Sequence, residues 1–209
     1  MGRRSPLARS APAARKGRGA QTRVVVEGLT RRPIVLATDA AVDRTRVSSG
    51  YLATTGNAGL RAHVYPAYRA DAGRTEVGEL RAVDLGLRAV LHAAPGEPIE
   101  VRVDNLTALK FLQRWQNGDT SLPPGYDASL RSGGESPALV KLQRRCRDTP
   151  GLTFVHEKAH EGHILNETAD SLAKLGLRCL RGGVDRADLE GLATLYAKRA
   201  LTAFRAEAD

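Results

Sequence analysis

Apolar residues in the first third of the chain follow the pattern of β-strands. Residues 33–39 form an almost unbroken apolar run that ends at Asp39, which predicts a buried central strand. Residues 49–56 and 60–65 then alternate at a period of two, with a glycine-containing break between them, as antiparallel neighbours do. These segments predict a three-stranded meander that starts from a central strand.

Apolar residues further along the chain recur at helical spacing. Leu80, Val83 and Leu87 lie three and four residues apart within a predicted helix at 76–93. The remaining predicted elements are strands at 98–104 and 152–155 and helices at 106–115, 138–147, 166–180 and 185–206. Strands that alternate with helices after an initial meander favour a mixed α/β sheet.

Positive charge is concentrated at the N-terminus. Residues 1–32 contain nine Arg or Lys residues and the single acid Glu27, so they carry most of the net charge of +9. Residues 1–21 have no hydrophobic periodicity, which predicts a disordered segment. Two interpretations stay open: a basic arm that binds nucleic acid, which we favour, and an organellar transit peptide. The arm would bind through Arg3, Arg4, Arg9, Arg15, Lys16 and Arg18.

Four acidic residues occupy different kinds of position in this pattern. Asp39 and Asp104 each end a predicted strand, Glu79 lies near the edge of the buried face of the first helix, and Asp170 follows a histidine-rich loop. Carboxylates that are brought together repel one another unless a divalent cation lies between them. A fold that unites the four would therefore support metal-dependent phosphoryl chemistry.

Several short motifs carry a resemblance to a known family. They are, in chain order, Thr38-Asp39, Gly78-Glu79-Leu80, Val103-Asp104-Asn105, His160-Glu161-Gly162-His163 and Asn166-Glu167-Thr168-Ala169-Asp170-Ser171-Leu172-Ala173. In order and spacing they resemble type I ribonuclease H over about residues 33–180. The resemblance implies an α/β, ribonuclease H-like fold with a five-stranded mixed sheet in the order 3-2-1-4-5, flanked by helices. This chain would add a C-terminal helix.

The resemblance also implies an activity and its residues. The expected activity is an endonuclease that cuts the RNA strand of RNA/DNA hybrids and leaves a 5′-phosphate and a 3′-hydroxyl. The four acids would be catalytic and would hold two Mg²⁺ ions about 4 Å apart, for which Mn²⁺ could substitute. His160 would assist catalysis from its loop, with Asn166 and His163 in support.

Contacts with the hybrid are expected, by the same resemblance, from Trp115, Thr75 and Asn105. The chain departs from the family after Asp39, where Ala40 and Ala41 replace a glycine and a polar residue. It also departs just before Glu79, where Thr75 and Glu76 replace asparagines. Both stretches contact the hybrid in the family, so the strictness of the preference for a hybrid stays open.

Two other functions stay open at the level of sequence. The segment from His156 to His160 matches the H-E-x-x-H signature of zinc peptidases. That mechanism needs both histidines on one continuous helix, whereas residues 152–155 predict a strand that runs into His156. A nucleic-acid-binding module that has lost catalysis is the other alternative, although all four acids are present.

Three regions are expected: a basic arm at 1–32, a catalytic domain at 33–182 and a helical extension at 183–209. The extension could cover the sheet, pack on the helices or bind a partner. No apolar run reaches the length of a membrane span, so we expect no membrane partner. Cys146 and Cys179 form neither a disulfide framework nor a metal-binding pair. We expect a monomer in the cytoplasm, or in an organelle if the N-terminus is a transit peptide.

Overall fold

One mixed sheet organises the computed structural model, which describes residues 19–65, 73–131, 133–158 and 162–207. That part of the chain contains six strands and five α-helices. The strands are β1 Gly19–Val25, β2 Ile34–Asp43, β3 Arg46–Ala53, β4 Asn57–Val64, β5 Ile99–Val103 and β6 Leu152–His156. The helices are α1 Arg74–Ala93, α2 Leu106–Gln116, α3 Ala138–Asp148, α4 Ile164–Leu180 and α5 Leu189–Ala206, the last preceded by a 3₁₀ turn at Arg186–Asp188.

The sheet combines antiparallel and parallel pairing. Its spatial order is β1-β4-β3-β2-β5-β6. The four strands from β1 to β2 are antiparallel to their neighbours, whereas β5 runs parallel to both β2 and β6. The parallel pair β2 and β5 therefore ends at the same edge of the sheet, where side chains from both strands can meet.

Each face of the sheet is covered by its own set of helices. Helices α1, α2 and α3 pack on one face, and α4 and α5 pack on the other. The alternation of a strand distributes side chains between the two cores, so that Leu36 belongs to the first and Ala37 to the second. Helices on both faces bury both sides of the central strand β2, which accounts for its apolar run.

Strand β1 is the main difference from the predicted fold. The pattern predicts five strands and a disordered arm up to residue 32, but Gly19–Val25 pairs with β4 along its length. Only Ala20 and Val24 of its seven residues are buried, so the alternation is too weak to predict a strand. Backbone hydrogen bonds to the edge of β4 stabilise it instead. Without β1 the strands follow the predicted order 3-2-1-4-5, and the architecture is compatible with a ribonuclease H-like fold.

Helix α5 covers the sheet edge that β1 extends. It packs against α4 and against β1 and β4, with Ala193, Ala197 and Leu201 buried at spacings of four residues. Of the placements left open by the sequence, covering the sheet and packing on a helix both apply. Within the described ranges, none of the helices combines the length and the apolar character of a membrane span.

Candidate metal centre

Asp39 and Asp104 lie side by side where strand β5 ends. Parallel pairing sets Thr38 of β2 opposite Val103 of β5, so the residue that follows each of them reaches the same edge of the sheet. Asp39 is only 8% exposed, and Asp104 is half-buried. The sheet register alone therefore brings the first two predicted acids together.

Glu79 reaches the same place from helix α1. The hydroxyl of Ser49 in β3 donates a hydrogen bond of 2.8 Å to the carbonyl of Gly78, which ties the first turns of α1 to the sheet. The backbone N–H of Ala40 lies 3.3 Å from Oε1 of Glu79 and 2.6 Å from Oδ1 of Asp39, and donates to both. One backbone donor thus holds two carboxylates next to each other.

Asp170 comes from helix α4, which packs on the opposite face of the sheet. A Cβ atom at Gly50 would contact the carbonyl of Ala169 and would lie 2.6 Å from the amide nitrogen of Ala173. Glycine at position 50 therefore allows α4 to approach β3 closely. Asp170 is half-buried, and its Oδ2 accepts a 2.5 Å hydrogen bond from Nζ of Lys174, one helical turn later.

All four acids line one cleft with a volume of about 380 Å³. One carboxylate oxygen from each of Asp39, Glu79 and Asp104 lies within 4.8 Å of the other two. The remaining lining residues are Ala40, Thr75, Asn105, Asn166, Glu167 and Lys174. The cleft is therefore strongly acidic at its base.

Mutual repulsion and burial perturb these carboxyl groups. Burial, followed by the charges of Asp104 and Asp170, raises the pKa of Asp39 from 3.8 to about 8. Burial and then Asp39 raise the pKa of Glu79 well above its ordinary value, and burial also raises that of Asp104. A bound cation would oppose these effects, because it attracts the carboxylates that repel one another.

The donors in the cleft fit a hard divalent cation. Carboxylate oxygens are the ligands that Mg²⁺ and Mn²⁺ prefer, and among the described residues neither Cys nor His lines the cleft. Oε2 of Glu79, a residue only 3% exposed, has no hydrogen-bond partner in the described part of the chain. A metal ion could satisfy this buried oxygen, so the cluster is suited to binding metal.

Helix α4 contributes three further side chains to the cleft. Asn166 is buried, and its Oδ1 has no hydrogen-bond partner among the described residues. Glu167 and Lys174 also line the cleft, although the sequence analysis assigns them no role. The signal for Lys174 was its spacing, because a residue four positions after Asp170 lies on the same helical face.

The structure describes one of the two histidines of the predicted loop, His163. His160 lies outside the described residues. His163 precedes the first residue of α4 and contacts Arg102 through its Nε2, and its ring packs 5.8 Å from that of Phe204. Burial, and next the Arg102 guanidinium, lower the pKa of His163. His163 does not line the cleft, so its expected support of the acids is not a direct contact.

The structure corrects the predicted contact between Trp115 and nucleic acid. Its side chain is 1% exposed, and its Nε1 donates a 2.6 Å hydrogen bond to the carbonyl of Ser121. Its helical spacing with other apolar residues places it in the core, and a side chain buried to this extent cannot stack on a base.

Thr75 and Asn105 do line the cleft, and Oδ1 of Asn105 also caps α2 by accepting from the amide of Ala108 at 2.9 Å. The predicted contacts of the basic tail from Arg3 to Arg18 lie outside the described residues.

The zinc-peptidase alternative fails on backbone geometry. His156 is the last residue of strand β6, and Glu157 and Lys158 follow it without helical structure. Glu157 accepts a 2.9 Å hydrogen bond from Arg102, and Nε2 of His156 lies 3.1 Å from the carbonyl oxygen of Asp104. The continuous helix that would hold two zinc-binding histidines on one face is therefore absent from the described part of the motif.

Comparison with known proteins found a relative with a similar sequence. A protein called ribonuclease H from Anaeromyxobacter dehalogenans (strain 2CP-C) is 30% identical to this chain over 129 residues. The match covers 56% of this chain and 67% of that protein. No protein-family model matches the chain. Together with the mixed sheet and the acidic cleft, this similarity shows that the chain belongs to the ribonuclease H-like family.

Proposed function

We propose that this protein is a metal-dependent endonuclease that hydrolyses the RNA strand of RNA/DNA hybrids. The observation that carries the proposal is the convergence of three buried or half-buried carboxylates within 4.8 Å, with Asp170 in the same cleft. A cluster of this kind is costly to fold without a cation and has no structural role that an uncharged core would not fulfil better.

Two divalent ions would be held by the four acids. Asp39 lies within reach of the charges of both Asp104 and Asp170, so it could contribute to holding both ions. Asp170 would complete one site, and Glu79 and Asp104 the other. When bound, such ions supply an activated water and stabilise the leaving oxygen of an in-line displacement. The products would be a 5′-phosphate and a 3′-hydroxyl.

The chain's own residues would orient the metal ligands and the substrate. The Ala40 amide holds one oxygen of Asp39 and one of Glu79, and the second oxygen of Glu79 has no hydrogen-bond partner among the described residues. Thr75 and Asn105 lie at the cleft and could contact the nucleic-acid backbone. Glu79 would also face the ribose 2′-hydroxyl, the group that distinguishes RNA from DNA. A cytoplasmic, monomeric state of the protein stays a prediction.

A cleavage assay on four matched duplexes and strands tests this function. End-labelled RNA/DNA hybrid, double-stranded RNA, single-stranded RNA and double-stranded DNA are incubated with Mg²⁺ or Mn²⁺. The Asp104→Asn variant runs in parallel, with Asp148→Asn as the control, since Asp148 is exposed and pairs with Arg147 outside the cleft. We expect cutting of the hybrid alone, abolished by the first substitution and retained by the second.

Other results would reject this reading. Cutting that survives Asp104→Asn would place the activity elsewhere or in a contaminant. Binding of the hybrid without cleavage in either metal would instead favour a nucleic-acid-binding module of the same fold.

A further inference from the structure

Strands β4 and β1 present a basic surface on the side of the sheet that carries α1. Arg61 of β4 and Arg23 of β1 project to this side, because their neighbours Leu60 and Val24 belong to the core beneath α4 and α5. A cavity of about 410 Å³ lies between these strands and α1. We call it the edge groove and define it by Arg23, Tyr51, Arg61 and Arg88.

The positive charge of the edge groove is largely uncompensated. Arg23 and Arg61 are exposed and form no ion pair with any residue that the structure describes. Arg88 pairs with Asp84 at 3.6 Å, but Asp84 also pairs with Arg145. The carboxylate of Glu190 lines the groove as well. The two guanidinium groups of Arg23 and Arg61, unpaired within the described residues, outweigh this one acid, so the groove suits an anion.

A buried hydroxyl in the groove points to a ligand independently. Tyr51 is 3% exposed and lines the groove. Its hydroxyl oxygen lies beside Arg23, which can only donate a side-chain hydrogen bond to it, and no described residue accepts the hydroxyl proton. The ring extends across Gly59, where a Cβ atom would lie 3.0 Å from the hydroxyl oxygen. Burial raises the pKa of Tyr51, and Arg23 opposes that effect. Tyr51 is therefore a protonated donor beside a cationic side chain, an arrangement that suits a phosphate oxygen.

Helix α1 contributes residues to both the acidic cleft and the edge groove. A second cavity, of about 280 Å³, shares Arg61 and Leu85 with the groove and also contains Arg81. In chain order along α1, Thr75 lines the cleft, Arg81 the second cavity and Arg88 the edge groove. At 1.5 Å per residue, the helix separates Thr75 from Arg88 by about 20 Å.

We propose that the edge groove binds a backbone phosphate of the same nucleic acid that is cut in the acidic cleft; this inference rests on the proposed nuclease function. The bound phosphate would lie outside the cleft, away from the scissile bond. Arg23 and Arg61 would bind its oxygens through charge-assisted hydrogen bonds, and the Tyr51 hydroxyl would donate another. Because β1 supplies Arg23, this added strand would extend the substrate-binding surface.

The test compares two pairs of substitutions that remove equal charge. Arg23→Gln/Arg61→Gln removes the groove cations, and Arg178→Gln/Arg199→Gln removes two exposed arginines from α4 and α5 on the other face. In the full chain carrying Asp104→Asn, the affinity for a 20-base-pair hybrid is measured by fluorescence anisotropy over a range of salt concentrations. Arg23→Gln/Arg61→Gln, the groove pair, should lower the magnitude of the log-log salt slope, the slope of log affinity against log salt concentration, by about 1 to 2. Arg178→Gln/Arg199→Gln, the control pair, should leave this slope unchanged.

Catalysis provides a second readout with Asp104 restored. The groove pair should need a higher enzyme concentration than the wild type for half-maximal single-turnover cleavage of the hybrid, because binding is weakened. Tyr51→Phe should weaken binding up to about tenfold, as expected for the loss of one hydrogen bond to a charged group. Thermal unfolding of each variant checks that the fold is retained.

The outcomes separate this inference from the proposed function. If the wild type cuts hybrid while the groove pair and the control pair have equal salt slopes, the inference fails and the nuclease function stands. If the wild type neither binds nor cuts hybrid, both fail. Binding of inorganic tripolyphosphate that requires Arg23 and Arg61, with unchanged hybrid affinity, would assign the groove to a small phosphorylated ligand and overturn the inference.

Discussion

Asp39 is the residue on which the geometry of the site depends most. It lies in the central strand with Glu79 and Asp104 around it, and only 8% of it is exposed. Its pKa of about 8 shows that the folded protein disfavours the charged form, chiefly because burial removes hydration. The ionised residue therefore lowers the stability of the metal-free protein, and a bound cation would offset this cost.

Replacing Asp39 should separate stability from activity. The folded-state pKa lies above the ordinary 3.8, so the stability of the metal-free protein should fall as pH rises from about 4 to about 8. Asp39→Asn removes this charge and should raise Tm at pH 8 in a chelator, by about 2 to 4 °C for each kcal/mol of relieved repulsion. Cleavage should be lost. Thermal unfolding at pH 5 and pH 8 measures the effect.

The exposed acid Asp148 provides the control for that experiment. Its pKa is lowered by Arg147, so Asp148→Asn should not stabilise the protein at pH 8. An Asp39→Asn protein that is no more stable than wild type at pH 8 in a chelator would contradict the repulsion between the carboxylates.

Lys174 should compete with a metal ion for Asp170. Its ammonium group lies 2.5 Å from Oδ2 of Asp170 inside the cleft, where it partly neutralises the acids. Lys174→Gln should lower the Mg²⁺ concentration that gives half-maximal cleavage by up to about fivefold, since an exposed ion pair contributes at most about 1 kcal/mol. Lys198→Gln on α5 is the matched control. A higher Mg²⁺ requirement in Lys174→Gln would show that Lys174 supports the site instead.

At the scale of elements, the site depends on how closely α4 lies against β3. Gly50→Ala places a methyl group against the backbone of Ala169 and Ala173, which cannot yield as a flexible side chain does. We expect a loss of about 1 to 3 kcal/mol in the free energy of unfolding, together with reduced cleavage as Asp170 moves. Chemical denaturation and the hybrid assay measure the two effects.

Gly191→Ala is the matched control for Gly50→Ala. No atom lies within 4 Å of a Cβ at this position in α5, so the added methyl should stabilise the helix by roughly 0.5 to 1 kcal/mol. If Gly50→Ala were as stable and active as Gly191→Ala, the close approach of α4 would not position Asp170.

The elements of the central sheet were predictable because their patterns are strong. Buried on both faces, β2 gives a continuous apolar run, and α1 repeats its apolar residues at helical spacing. Strand β1 escaped prediction because two buried residues cannot distinguish a strand from a polar tail, and its pairing partner lies 32 or more residues away. Local pattern carries no information about such long-range backbone pairing.

The roles of individual residues were also predictable only in part. Each of the four acids stands beside a recognisable strand or helix, but their convergence on one cleft was predicted only through the resemblance to type I ribonuclease H. Trp115 was misassigned because core packing and base stacking both place an aromatic residue on a helix, and only burial distinguishes them. Lys174 and the edge groove depend on contacts between separate elements, which sequence spacing alone does not define.

At the scale of the whole molecule, the described residues form an acidic cleft and a basic edge groove, and the N-terminal sequence adds further positive charge. If the N-terminal arm binds nucleic acid, deletion of residues 2–18 removes six of its basic residues. The magnitude of the log-log salt slope for hybrid binding should then fall by up to about 5. Replacing the same six residues with Gln in a chain of full length should give the same loss. A salt slope that neither change alters would exclude the arm from binding.

The proposed function requires the acidic cleft to cut the RNA of a hybrid through bound divalent metal. The most direct measurement is single-turnover cleavage of a hybrid labelled on both strands, by protein first stripped with chelator and then supplied with Mg²⁺, Mn²⁺ or Zn²⁺. We expect no cutting without metal, and cutting of the RNA strand alone, to 5′-phosphate ends, once Mg²⁺ or Mn²⁺ is restored. Cutting in chelator, cutting of the DNA strand, or recovery with Zn²⁺ alone would rule out the proposed function.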